Sequence, residues 1–223
     1  MKDNLLLKGY ISIGCIYLLT LYLGLGNLAW FFKPFLIPFL VYAVYQSDFF
    51  HTKKTLLSAL LFSWLGDIVL LFASKGEMYF IIGLVLFLVS HAFYIELFLK
   101  QKADKKVYKR SLFWIGCTIV LYYLYKMLCL LLPTLSDLQI PVTLYAVTIS
   151  VMLMAALRIF FSRTNPGKYF VVAGAIFFVV SDSLLAIDKF HERLPYASLS
   201  IMSTYLIAQY CITVGILNLN QKK

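Results

Sequence analysis

Charged residues are scarce in this 223-residue sequence: Asp, Glu, Lys and Arg together make up only 13% of it. A water-soluble domain usually contains about 25% charged residues, because its surface must be hydrated. Hydrophobic residues instead make up 62% of the chain, and the mean hydropathy is +0.86. This composition all but excludes a water-soluble fold and predicts an integral membrane protein.

Residues that commonly bind metal ions are also scarce. The four cysteines all lie in apolar runs, and none is close to a second cysteine or a histidine at the spacing of a metal site. Among the three histidines, only His91 lies within an apolar run, whereas His51 and His191 lie in predicted loops. We therefore expect neither a metal ion nor a cofactor, and the pattern disfavours a zinc hydrolase.

Apolar segments follow one another with only short polar connections between them. They run approximately over residues 5–25, 34–46, 56–73, 78–99, 111–132, 141–161, 169–187 and 196–219. A segment that crosses lipid must satisfy its backbone hydrogen bonds internally, so each is expected to be a helix. The second segment is short and opens with Pro34 and Pro38, which predicts a broken or tilted helix. The predicted fold is an all-α polytopic bundle of about eight transmembrane helices, forming one domain over residues 1–223.

Basic residues are distributed unevenly between the two sides that the alternating connections define. One side has only Lys33, Lys75, Lys189 and Arg193, while Lys126 lies within the fifth segment. The other fifteen are on the opposite side: Lys2, Lys8, Lys53, Lys54, Lys100, Lys102, Lys105, Lys106, Lys109, Arg110, Arg158, Arg163, Lys168, Lys222 and Lys223. The positive-inside rule then predicts that both termini are cytoplasmic, which requires an even number of helices.

Two aspartates lie inside apolar segments, where an ionisable side chain is costly. Asp67 and Asp182 each follow the cytoplasmic start of their segment by roughly 15–20 Å at ~1.5 Å per residue, so they could share one cavity. A charge at mid-bilayer costs at least ~2.5 kcal/mol and usually has a function. We interpret the two carboxyl groups as a catalytic site. The alternative is a carboxylate that pairs with Lys126 to hold helices together, and Lys126 itself could instead reach the membrane surface.

A weak internal similarity relates the surroundings of the two aspartates. The run Gly66-Asp67-Ile68-Val69-Leu70 resembles Ser181-Asp182-Ser183-Leu184-Leu185, which lies four segments later in the same direction. This similarity suggests a four-plus-four internal repeat.

Further polar side chains could line the same cavity. His91 and Tyr94 are three residues apart on one helical face, and Tyr205 and Gln209 are four apart on another. Lys33, on the outer side, could bind a lipid phosphate. We predict that these five residues bind substrate. The alternatives are hydrogen bonds between helices for the four uncharged residues, and an interfacial anchor for Lys33.

The sequence resembles the lysoplasmalogenase family, the YhhN-like multispan membrane proteins. The resemblance covers nearly the whole chain, and the two aspartate motifs are its most specific part. The matching positions are Lys33, Pro34, Pro38, Ser63, Trp64, Leu65, Gly66, Asp67, Leu70, Leu71, Gly83, Phe87, His91, Tyr94, Tyr145, Ser150, Met152, Ala155, Gly174, Ala175, Ser181, Asp182, Ser183, Leu184, Leu185, Ala186, Phe190, Tyr205 and Gln209.

The resemblance implies hydrolysis of the vinyl ether bond of lysoplasmalogens, which releases a fatty aldehyde and a glycerophospho-ethanolamine or -choline. It places the paired acidic residues on Asp67 and Asp182, and it implies a bacterial inner-membrane location. Such cleavage needs one carboxylic acid, one carboxylate and a water molecule. The rival interpretations are a small proton-coupled transporter and a lipid-binding membrane protein, since paired aspartates also form proton relays.

Overall fold

The computed structural model describes residues 2–103, 108–135 and 138–221, and within these ranges all regular structure is helical. Lys105, Lys106, Lys222 and Lys223, which contribute to the predicted orientation, lie outside the described residues. The helices are α1 (Lys2–Tyr22), α2 (Gly26–Phe32), α3 (Leu36–Gln46), α4 (Lys53–Leu70), α5 (Glu77–Leu99), α6 (Arg110–Leu131), α7 (Gln139–Ser162), α8 (Gly167–Phe190) and α9 (Ala197–Asn220).

The second predicted segment is a broken helix, as expected, but its predicted start was wrong. Helical structure begins at Gly26 rather than at residue 34, and a 3-10 turn over Lys33–Phe35 separates α2 from α3. Pro34 lies at the start of this turn, where its missing N–H costs no hydrogen bond. The prolines therefore interrupt a span of 21 residues, Gly26–Gln46, instead of opening a short one.

In the described part of the chain, seven helical segments are long and apolar enough to cross a membrane. The 18 residues of α4 reach about 27 Å at ~1.5 Å per residue, but this helix contains Lys53, Lys54 and Asp67, so composition alone does not mark it as a span. Its charges lie where they can be compensated: Lys53 Nζ donates to the carbonyl oxygens of Tyr45 and Ser47 at 2.9 and 2.6 Å. With α4, the described part of the chain has the eight helical segments that the sequence predicts.

Large apolar side chains point outward, as expected for a protein whose surface faces lipid. On α6, Trp114, Ile119 and Tyr122 are 57–63% exposed. A soluble protein rarely exposes such a continuous apolar surface. The protein is therefore an integral, multi-pass membrane protein.

The chain forms two compact units, and the first extends from the N-terminus to Leu97. In this unit α1 packs on α3, and α3 packs on α4. Close contact between α4 and α5 depends on small side chains: the Ser63 and Ser90 hydroxyl groups are 2.7 Å apart, and Ser90 donates to the Ala59 carbonyl at 2.8 Å.

The second unit, Phe98–Asn220, is built around the pairing of α8 with α9, and α7 packs between α6 and α8. Glycines allow the α8 and α9 backbones to touch. A Cβ atom added to Gly174 would lie 2.8 Å from the Ile212 backbone nitrogen and 2.9 Å from the Ala208 carbonyl oxygen. Small residues of this kind let membrane helices pack closely. The internal repeat and the single domain both stay predictions.

Candidate active site

Asp67, in the first unit, is paired with Lys33. The Lys33 Nζ and Asp67 Oδ1 atoms are 3.9 Å apart, and the two side chains are only 13% and 3% exposed. Tyr17 of α1 is buried as well and interacts electrostatically with Asp67. A buried carboxylate needs a cationic partner such as Lys33, because removing a charge from water costs several kcal/mol. The arrangement provides an ion pair in which the Lys33 ammonium balances the Asp67 carboxylate.

The break between α2 and α3 positions Lys33. Trp64, three residues before Asp67 on α4, donates from Nε1 to the Pro34 carbonyl at 2.7 Å. This bond satisfies a carbonyl group that the helix break would otherwise leave without a partner, and it holds the 3-10 turn against α4. Gly66, which directly precedes Asp67, gives the Phe87 ring of α5 room to approach, since an added Cβ would lie 2.7 Å from that ring.

His91 and Tyr94 are both buried on α5, at 1% and 0% exposure. His91 Nδ1 is hydrogen-bonded to the Phe87 carbonyl. A carbonyl oxygen can only accept, so Nδ1 must hold the proton, and in the neutral ring Nε2 is then the acceptor. Phe87 thus contacts the helical turn of Asp67 through its ring and orients His91 through its backbone.

Asp182, in the second unit, receives a hydrogen bond from a tyrosine on the neighbouring helix. The Tyr145 hydroxyl group on α7 donates to Asp182 Oδ2 at 2.6 Å. This length is typical of a hydrogen bond to an ionised carboxylate, which is about twice as strong as one between neutral groups.

Three consecutive residues of α8 connect it to three different helices. Ser181 donates to the Ile201 carbonyl of α9 at 3.0 Å, and Ser183 accepts from Tyr123 of α6 at 2.7 Å. Asp182, which lies between these two serines, accepts a hydrogen bond from Tyr145 of α7. Successive residues of an α-helix point about 100° apart, so three in a row can reach three neighbours. This run therefore fixes the helical turn that carries the carboxyl group.

A cavity that is partly open to the outside lies between α6, α7 and α8 beside Asp182. Its walls are mostly apolar, with a few polar groups near the carboxylate, as in many sites that bind organic ligands. The lining residues are Tyr123, Leu124, Met127, Leu131, Val142, Tyr145, Ala146, Ile149, Ser150, Val179, Asp182, Ser183 and Ala186.

The remaining predicted residues are not part of this cavity. Tyr205 and Gln209 are buried on α9, and the ring of Tyr205 packs edge-on against Phe178, but neither is among the described residues that line the cavity. Lys126 is exposed, and its ammonium group lies 5.8 Å from the centroid of the Tyr122 ring. The described ion pair of Asp67 involves Lys33, and the alternative in which Lys126 pairs with an aspartate stays a prediction.

The structure brings together Lys33 and Asp67 in one unit, and it adds Tyr145 and Tyr123 to the surroundings of Asp182 in the other. That the two aspartates share one cavity stays a prediction. Sequence reasoning did not assign the two tyrosines to the site, although Tyr145 is among the positions that match the family. The partner of Tyr145 is 37 residues further along the chain.

Comparison with known proteins assigns the family. The model of the YhhN family matches residues 28–216, which include both aspartates and nearly all of the described helices. The chain belongs to the YhhN family. The expected resemblance is thus confirmed for most of the sequence. No solved structure matches this YhhN protein.

Similar proteins from animals have names that state an activity. The chain is 32% identical over 160 residues to a human protein named lysoplasmalogenase TMEM86A, and 30% identical over 162 residues to its bovine counterpart. Each match covers 70% of this chain but only 62% of the relative. Over a shorter stretch of 44 residues, the chain is 50% identical to the human protein named lysoplasmalogenase TMEM86B. This match covers 20% of each protein.

Proposed function

We propose that this protein is a membrane-embedded hydrolase that cleaves the vinyl ether bond of lysoplasmalogens. The observation that carries the proposal is the Asp182 carboxyl group, hydrogen-bonded by Tyr145 at the edge of a mostly apolar cavity. An apolar cavity suits a single hydrocarbon chain, and a carboxyl group at its edge can exchange a proton with the reacting bond. The names of the animal relatives agree with this substrate class.

The reaction proceeds by proton transfer and addition of water. A carboxylic acid protonates the outer vinyl carbon, and positive charge develops on the carbon bonded to oxygen. A carboxylate then removes a proton from the water that attacks this carbon. As the hemiacetal collapses, the former acid, now a carboxylate, removes the hydroxyl proton, and the other carboxyl group gives its proton to the leaving glycerol oxygen. The products are a fatty aldehyde and a free glycerol hydroxyl group, one water molecule is consumed, and both carboxyl groups return to their starting states.

Asp67 and Asp182 supply the two carboxyl groups in this proposal. Their roles follow the logic of inverting glycosidases, in which one group donates a proton and the other activates water. His91, Tyr94, Tyr205 and Gln209 are proposed to line the rest of the substrate path, as inferred from the sequence. Lys33 is proposed to bind the lipid phosphate and to balance the charge of Asp67. Among the contacts described for Lys33, the ion pair with Asp67 supports the second role.

The orientation in the membrane is part of the same proposal. With both termini in the cytoplasm of a bacterial inner membrane, the aspartates lie in the outer half of the bilayer. A single-chain lipid in the outer leaflet can then reach the cavity sideways between helices, without leaving the membrane.

The direct test is turnover by purified protein in detergent. Lysoplasmenyl-ethanolamine should yield fatty aldehyde, whereas the matched alkyl ether, which lacks the double bond, should not react. In D₂O the aldehyde should carry one deuterium on the carbon next to its carbonyl group, because that carbon receives the acid's proton. A proton-coupled carrier would release no aldehyde in detergent and would show activity only in sealed vesicles, so absence of aldehyde from folded protein would overturn the proposal.

A further inference from the structure

Tyr145 holds the Asp182 carboxyl group from a different helix. The donor lies on α7, the acceptor on α8, and the oxygen atoms are 2.6 Å apart. The final torsion of an aspartate side chain is broad, so a carboxyl group rotates unless a neighbour restrains it. Ser181 and Ser183 fix the backbone of this turn to α9 and α6, but they do not bond the carboxyl group in the contacts described for them.

We propose that Tyr145 is a positioning residue that fixes the orientation of the Asp182 carboxyl group for proton exchange during catalysis. This inference rests on the proposed hydrolase function, and it holds whether Asp182 is the acid or the base. If Asp182 is protonated, its carbonyl-type oxygen can accept from the Tyr145 hydroxyl group, and if it is ionised, either oxygen can. In both states the bond at Oδ2 restrains the rotation of the carboxyl group.

The hydrogen bond of Tyr145 can be distinguished from the packing of its ring. Its ring forms part of the cavity wall together with Ala146 and Ile149, so a phenylalanine at this position would keep the wall while removing only the hydroxyl group. The role of the hydroxyl group can therefore be measured separately from the shape of the cavity.

The test is Tyr145→Phe, assayed with lysoplasmenyl-ethanolamine in detergent beside thermal unfolding. We expect kcat to fall about tenfold, the size expected from losing one hydrogen bond to a carboxylate. KM should stay within about twofold, because the ring that contacts substrate remains. The matched control is Tyr122→Phe, which removes a hydroxyl group from an exposed tyrosine of α6 that does not line the described cavity. It should retain wild-type kcat.

A double-mutant cycle shows whether Tyr145 acts through Asp182. In an Asp182→Asn background, Tyr145→Phe should cause less than a twofold further loss of kcat, since the group that it orients no longer exchanges a proton. A full tenfold loss in that background would overturn the inference, and so would wild-type kcat in the single variant. An inactive wild-type protein would instead overturn the hydrolase proposal, which is a separate result.

A second variant guards against failure of Tyr145→Phe to fold. Incorporation of 3-fluorotyrosine at position 145 keeps the size and the hydroxyl group but changes its strength as a donor. We expect kcat to change by about threefold, with KM and the unfolding temperature unaltered. Unaltered kcat would overturn the positioning role.

Discussion

The Lys33 ammonium group lies 3.9 Å from the Asp67 carboxylate, and both side chains are almost completely buried. Removing the cation would leave a buried carboxylate without this compensation. We expect Lys33→Met to lower the free energy of unfolding by about 3 kcal/mol, and Lys33→Met combined with Asp67→Asn to recover most of that loss. Thermal unfolding of both variants in detergent measures this effect. If Lys33 only binds the lipid phosphate, KM will rise and the unfolding temperature will not change.

Asp182→Asn should remove catalysis while preserving the fold. The asparagine carbonyl oxygen can still accept the hydrogen bond from Tyr145, so the packing of α7 on α8 should persist. The amide cannot exchange the proton that the reaction needs, and we expect kcat to fall by about 10² or more. Aldehyde release measured beside thermal unfolding distinguishes the two effects. Near-wild-type turnover would contradict the two-carboxylate mechanism.

Filling the cavity should impair binding of long-chain substrates. Ala146→Phe places a ring among Met127, Ile149 and the other apolar side chains of the wall. We expect KM for a long-chain lysoplasmalogen to rise about tenfold, or about 1.4 kcal/mol, and KM for a short-chain analogue to rise less. The matched control is Val147→Phe, because Val147 is 39% exposed and does not line the described cavity. Equal effects of the two variants would argue against the cavity as the substrate site.

The contact between α8 and α9 should tolerate no side chain at Gly174. An added methyl group would meet backbone atoms of Ile212 and Ala208, which cannot move independently of the helix. We expect Gly174→Ala to lower the free energy of unfolding by about 1–3 kcal/mol. In Gly116→Ala the methyl group would approach the end of the flexible Leu157 side chain at 3.1 Å, so the loss should be smaller. Thermal unfolding of the two variants makes the comparison.

The asymmetry of basic residues predicts the orientation of the chain. Reporter fusions after Lys106 and at Lys223 should both give a cytoplasmic signal, because fifteen of the twenty Lys and Arg residues are on that side. A signal from the opposite side of the membrane at either fusion would mean that the orientation is reversed or that α4 does not cross the membrane.

The sequence was sufficient to predict most of the helices and to draw attention to two aspartates within them, because lipid imposes simple physical constraints; the catalytic role of the aspartates stays a prediction. Apolar length reveals a span, and a charge within it is costly enough to be noticed. The pairing of Lys33 with Asp67 was harder to predict, because Pro34 and Pro38 suggested that a helix starts at residue 34. Lys33 is instead the eighth residue of the span that begins at Gly26, which brings it to Asp67.

The contact that Tyr145 makes could not be predicted from the sequence. The chain has 16 tyrosines, and although Tyr145 is one of three at positions that match the family, its position in the sequence does not show that it binds Asp182. Helix packing decides that contact, and the spacing of residues along one helix contains no information about it.

The glycine contacts between α8 and α9 bear on how the protein is assembled during synthesis. Only residues 191–196 connect the two helices, so closing this connection costs little chain entropy. The backbones can therefore pair as a hairpin as soon as α9 enters the membrane. Asp182 is then delivered to its neighbours on a pair of helices that is already packed, and this hairpin docks as a unit against α7 and its tyrosine.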